Sequence, residues 1–186
     1  MLEFTKLQLE HIPLIRPFFW RQNRRVCDCT IGGTFMWREY FDNRFAIEED
    51  TMAMKVRYLQ DGTMFTVPIG SHVPEMLDRL EEYCAQQGLP LVFCTATPTD
   101  VELLRARFGT ITVEDNRDWY DYLYESQNFI TFAGRKYSAQ RNHIHKFERA
   151  CPNHTFQVMT PGDLDEVREF YRFFIKERFK DGETAQ

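Results

Sequence analysis

Hydrophobic positions switch along the chain between strand spacing and helix spacing, with glycine, proline and Asx residues at the switch points. Residues 2–7 predict a short strand. Residues 10–20 predict a helix with Pro13 in its first turn. The aromatic cluster at 34–41, after Gly32-Gly33, predicts a second short helix, with Cys27-Asp28-Cys29 in the loop before it. Three strands follow at 44–47, 52–59 and 63–69. The last two are joined by Gln60-Asp61-Gly62, a hairpin signal.

Pro74 opens an amphipathic helix with Met76, Leu77, Leu80, Tyr83 and Cys84 on one stripe and Gly88 as its stop. The continuous apolar run 89–95 predicts a strand covered on both faces. A helix over 100–108 starts behind Thr97-Pro98-Thr99 and ends at Gly109, and 110–113, 120–124 and 129–132 are β-prone. The implied architecture is α/β (α+β), a mixed sheet flanked by helices.

From Gly134 the pattern becomes polar and basic. A helix over 138–150, a strand over 155–159 and a Thr160-Pro161-Gly162-Asp163 start lead into a last helix, 164–179. That helix carries Leu164, Val167, Phe170, Tyr171 and Phe174 on one stripe, widened by Phe173, Ile175 and Phe179. One strand and one apolar helix cannot cover each other. The stripe either packs back on the first domain or self-associates with a second copy. No internal repeat stands out, although the closing strand-turn-helix echoes the opening one.

Composition supports a folded chain: 43% apolar and 15% aromatic, with Gly 9 and Pro 8, excludes collagen-like and low-complexity classes. The net charge of −5 argues against non-specific duplex DNA binding. No secretory leader and no run of about 18 apolar residues is visible, which predicts a cytoplasmic chain without a membrane span. The five cysteines read as free thiols.

Charge is uneven along the chain. Residues 114–125 hold five acids against Arg117, whereas residues 135–151 hold five bases against Glu148, with His143 and His145 added. On a helix, Arg141, His145 and Arg149 recur every four residues with Asn142 and Lys146 beside them, and Arg135 and Lys136 precede them. These seven residues are the candidate substrate-binding set. They either grip the phosphates of a tRNA acceptor end or nucleotide-linked precursor, or form a solvated helix face paired with the acidic stretch.

Cys27/Cys29 and His143/His145 have one-residue gaps instead of zinc-ligand spacing, so no metal is expected. No nucleophile elbow occurs. Asp115, Asp118 and Asp121 fit a turn better than an acid/base pair or a divalent-ion site.

Three blocks carry a family resemblance: Cys29-Thr30 with Phe35-Met36-Trp37-Arg38; Asp121-Tyr122-Leu123-Tyr124 with Asn128-Phe129-Ile130; and Gly134-Arg135-Lys136-Tyr137 leading to Arg141-Asn142-His143-Ile144 and Lys146-Phe147. Their order and spacing resemble the soluble bacterial family related to the phosphatidylglycerol lysyltransferase C-terminal domain. The resemblance implies tandem acetyltransferase-like (GNAT) folds. It places an N-terminal GNAT-like domain at 1–133, then a linker helix and the opening of an incomplete second domain at 134–186. It also implies acyl or aminoacyl transfer with charged tRNA as donor, in a truncated chain inactive alone, with the catalytic residues unassigned. The alternative is a non-catalytic module holding an anionic partner, RNA or a nucleotide-linked precursor, through the Arg141-His145-Arg149 stripe. Val67-Pro68-Ile69-Gly70-Ser71-His72-Val73-Pro74 lacks the repeated glycines of a CoA pyrophosphate turn, so this half is expected to bind no CoA.

Overall fold

The computed structural model describes residues 2–58 and 62–178, grouped into two compact units, one ending at Tyr122 and one beginning at Leu123. Leu59, Gln60 and Asp61 of the expected strand and hairpin, and Phe179 of the last stripe, lie outside the described residues.

The first unit is built on a mixed sheet of six strands: β1 (Thr5–Lys6), β2 (Arg44–Glu48), β3 (Thr51–Tyr58), β4 (Gly62–Thr66), β5 (Ile69–Gly70) and β6 (Phe93–Cys94). Their order is β1-β2-β3-β4-β6, with β5 also paired to β3. All pairs are antiparallel except β4 with β6, where Phe65 faces Phe93 and Thr66 faces Cys94. The fold class read from the sequence, a mixed α/β sheet with helices, is the one observed.

Side-chain alternation sorts the core into layers. Phe45, Met52 and Met54 join Leu7 and Ile69 under Ile15, Phe18 and Phe19 of α1 (Ile12–Arg21). Their neighbours Ala46 and Ala53 join Phe65 against Met76, Leu80 and Cys84 of α3 (Val73–Gln87). The stripe predicted for α3 is the buried one, and Gly88 caps it at φ 65°. Leu104 of α4 (Pro98–Phe108) packs with Val67 and Leu77. α4 starts on a reciprocal cap, Asp100 N donating to Thr97 Oγ1 (3.3 Å) and Thr97 N to Asp100 Oδ2 (2.9 Å).

Several expectations differ from the structure. The helix placed at 34–41 is α2 (Ile31–Met36), because Thr30 Oγ1 accepts from Gly33 N (3.1 Å) and so starts the helix three residues earlier. The glycine pair lies inside this helix. A Cβ on Gly33 would meet Cys27 O at 2.5 Å. The strand expected at 63–69 breaks at Val67-Pro68, since proline has no N–H for the ladder, and resumes as β5 on the opening of β3. Only Thr5–Lys6 of 2–7 and Phe93–Cys94 of 89–95 are strand. β6 is half-buried because it ends the sheet instead of lying inside it.

Residues 110–113, 120–124 and 155–159 form no strand, and 129–132 falls in α5 (Ser126–Thr131) and its end. A β-prone segment becomes a strand only where a ladder partner exists. These segments have none among the described residues, and Tyr122, Leu123 and Phe156 are 87%, 90% and 93% exposed.

The second unit contains α5, α6 (Ser138–Ala150) and α7 (Leu164–Arg178). Among its described residues none is buried, so the apolar stripe of α7 lies exposed, with Phe170 and Phe174 stacked at 6.3 Å.

Candidate functional site

In the second unit, the predicted basic residues fall on a turn and one helix. Arg135 and Lys136 lie in the Arg135–Tyr137 turn, and Arg141, Asn142, His145, Lys146 and Arg149 lie on α6. Arg141 differs from the rest. Its Nη1 donates to the carbonyl oxygens of Phe132 and Gly134 (2.9 Å for the latter), tying the left-handed end of α5 to α6. It therefore holds the loop in place. Lys136 lies 4.9 Å from the centre of the Tyr137 ring. Asn142, His145, Lys146 and Arg149 are exposed.

The first unit holds a cleft that the sequence pattern did not single out. It opens at the carboxyl ends of the parallel strands β4 and β6, where Thr66, Cys94 and Thr95 line it. α2 and its flanking turns supply Asp28, Cys29, Gly33, Thr34, Trp37 and Phe41. The cleft is open to solvent, with a cavity volume of about 40 Å³.

Two polar features shape this cleft. Arg24 donates from Nη2 and Nε to the two oxygens of Asp100 (2.6 and 3.0 Å), with side chains only 16% and 9% exposed. Burial pushes the Asp100 carboxyl up, but hydrogen bonds from Arg24 and Thr97 outweigh it and hold it below the ordinary value. Asn43, 4% exposed, also lines the cleft; its Nδ2 donates to Thr34 O (2.8 Å), while its Oδ1 is buried and accepts from no group among the described residues. The donor bond to a carbonyl fixes which way the amide points. An unpaired buried acceptor of this kind costs about 1–3 kcal/mol.

Electrostatics at the rim favour neutral thiols beside a negative charge. Burial pushes Cys94 up to about 12 and raises Cys29 as well. The hydrogen bond with Asp121, followed by burial, raises Cys27 to about 11. Asp28 is raised by burial and by the nearby charge of Asp121. Thr95 has φ 53°, an uncommon conformation for a β-branched residue, and its hydroxyl donates to Cys94 O (2.8 Å).

Two N–H groups in the turn before α3 are engaged inward: Ser71 N donates to Asp50 O (3.3 Å) and His72 N to Thr51 Oγ1 (2.8 Å). Among the described residues no helix is long and apolar enough to cross a membrane, and no group of three or more His, Cys, Asp or Glu could hold a metal ion.

The fold is thus an open, mostly antiparallel α/β sheet with a polar and aromatic cleft at the carboxyl ends of its parallel pair, β4 and β6. The chain belongs to the phosphatidylglycerol lysyltransferase, C-terminal family, which matches residues 21–183. No curated protein matches it. Its fold is shared with the crystal structure of a conserved protein of unknown function from Bacteroides thetaiotaomicron, at 22% identity and a TM-score of 0.77. That match covers 100% of this chain and 63% of the other, so the chain spans somewhat under two thirds of the longer protein.

Proposed function

We propose that this chain is the N-terminal part of a tandem GNAT-like transferase that passes an acyl or aminoacyl group, with charged tRNA as donor. The observation that carries the reading is the family match over residues 21–183, because the named activity of that family is itself a lysyl transfer. The element order of the first unit supports a GNAT-like first domain over 1–133, and the longer solved protein leaves room for a second beginning within 134–186. The inward-bonded N–H groups of Ser71 and His72, in the turn before α3, support a first domain that does not cradle the pyrophosphate of CoA there.

Phosphates of the donor would be held by Arg135, Lys136, Asn142, His145, Lys146 and Arg149, with Arg141 as the residue that sets the α5–α6 loop. Catalysis would rest on positioning donor and acceptor and stabilising the developing oxyanion. Little transfer is expected from residues 1–186 alone, because the described part of the second unit buries none of its side chains. The competing reading, a non-catalytic module for an anionic partner, draws on the same exposed stripe.

Two measurements separate these readings. The intact gene product should move a labelled amino acid from charged tRNA to an acceptor; failure with every charged tRNA would remove the transferase reading. Lys146→Ala with Arg149→Ala, which leaves Arg141 in place, should weaken RNA binding and reduce its log–log salt slope by about 2. Unchanged RNA affinity and slope would remove the stripe from both readings.

A further inference from the structure

Aromatic rings from three distant segments form one continuous surface on the first unit. Trp37, Tyr40 and Phe41 follow α2, Tyr58 ends β3, and Trp119 lies in the Arg117–Trp119 turn. The Phe41 ring meets the other four, its centroid 6.1 Å from Trp37, 4.8 Å from Tyr40, 4.8 Å from Tyr58 and 6.5 Å from Trp119. Trp37, Tyr40 and Trp119 are each about half exposed or more. Neither indole N–H and no hydroxyl of Tyr40 has a hydrogen-bond partner among the described residues.

The flank of this surface is acidic. Around Trp119, Glu114, Asp115, Asp118 and Asp121 stand against Arg117 alone, and the Asp118 carboxylate has no partner among the described residues. Asp28 lines the cleft beside Trp37, Phe41 and Tyr58, whereas Arg24 in the same cleft is neutralised by Asp100. Aromatic platforms that stack nucleic-acid bases sit in positively charged grooves. An acidic flank repels phosphates and attracts a basic partner instead.

We propose that this face docks an extended, proline-rich basic segment of another protein, with proline rings on Trp37 and Trp119, backbone carbonyls accepting from the indole N–H groups and the Tyr40 hydroxyl, and a basic side chain at Asp118. A polyproline II segment makes no internal hydrogen bonds, so its carbonyls are available to such donors. It is also ordered before it binds, and aromatic-lined surfaces recognise it in that form. Its repeat, about 9 Å for three residues, falls within the two ring-to-ring steps that join Trp37 to Trp119 through Phe41. The face lies wholly within the first unit and stands independently of the transferase reading.

The test is a titration of the full chain with an acetylated peptide that carries prolines three residues apart and an arginine at each end, followed by ¹H–¹⁵N NMR at the Trp37 and Trp119 indoles. Saturable shifts at both are expected. The same peptide with alanine for proline, or with glutamate for arginine, should bind at least about fivefold more weakly. Trp37→Leu and Trp119→Leu should each weaken the parent peptide about 5- to 30-fold, and Asp118→Asn about 2- to 5-fold. Asp118 is exposed, so its replacement leaves the fold in place and keeps the test decisive should a tryptophan variant unfold. The absence of saturable shifts overturns the proposal, as does equal binding of either control peptide or unchanged affinity in Asp118→Asn. Tighter binding of oligouridylate at the same two indoles would assign the face to nucleic acid and overturn it as well.

Discussion

Gly70→Ala is expected to cost about 3 kcal/mol or more of stability, seen as a lowered midpoint of urea unfolding at unchanged slope. A Cβ at this position would lie 2.3 Å from Asp50 O and 2.4 Å from Thr51 Cα, both backbone atoms. Neither can move away. Glu49 and Asp50 form the left-handed turn between β2 and β3, at φ 45° and 60°. Arg21 clamps the Asp50 carboxylate at 2.7 Å, and Ser71 Oγ donates to it at 3.0 Å. Gly70 is itself paired with Thr51, so relief by shifting β5 would break the Thr51 and Ile69 registers together.

Gly62→Ala is the matched control. Gly62 also has positive φ, at 81°, but a Cβ there meets nothing within 4 Å. Only the left-handed backbone penalty applies, about 1 kcal/mol. Equal losses at the two sites would refute the close-approach argument.

Asp100→Ala is expected to cost about 3–5 kcal/mol, the range for leaving one partner of a buried ion pair alone. The carboxylate accepts from Arg24 twice and from Thr97 N and Oγ1 at 2.9 and 2.7 Å, so its loss strands a half-buried guanidinium and removes the side-chain half of the reciprocal cap on α4. Adding Arg24→Met should recover part of the loss, because the stranded charge is then gone.

The pH dependence has a fixed sign. Asp100 is held below its ordinary value in the folded chain, so the stability it contributes is complete above the ordinary carboxylate range and lost as pH falls through the lowered folded value. The stability gap between wild type and Asp100→Ala should therefore be flat at neutral pH and close under acid. A gap that instead widened on acidification would contradict this assignment.

Much of the first unit was legible because its signals are local. The spacing of Met76, Leu77, Leu80 and Cys84, with Pro74 near the start and Gly88 at the end, fixes a helix and its inward face without tertiary information. The β2–β3–β4 meander follows from alternation and the Asp-Gly pair in the sequence at 61–62 in the same way. Segments that need a distant partner were not legible. Residues 110–113, 120–124 and 155–159 have strand-like side chains, but strand formation depends on a neighbour that local composition cannot supply.

The cleft escaped notice for a related reason. Its features join residues far apart in sequence, Arg24 with Asp100, and Asn43 with Thr95, and no periodicity links such positions. The Cys-Asp-Cys loop and the Thr-Phe-Met-Trp cluster were visible as segments, though their convergence on one space was not. On α6 the spacing of Arg141 suggested the same role as Arg149. The structure places Arg141 on two backbone carbonyls, a distinction that only a three-dimensional loop can make.

The lack of any buried residue in the described part of the second unit also has a kinetic side. Amide protons of β3 and α3 should exchange with solvent only when the whole sheet comes apart. Those of α6 and α7 can escape through small fluctuations of a single helix. The chain should thus keep two clocks, slow in the first unit and fast in the second, and a limiting protease would cut first within residues 123–178.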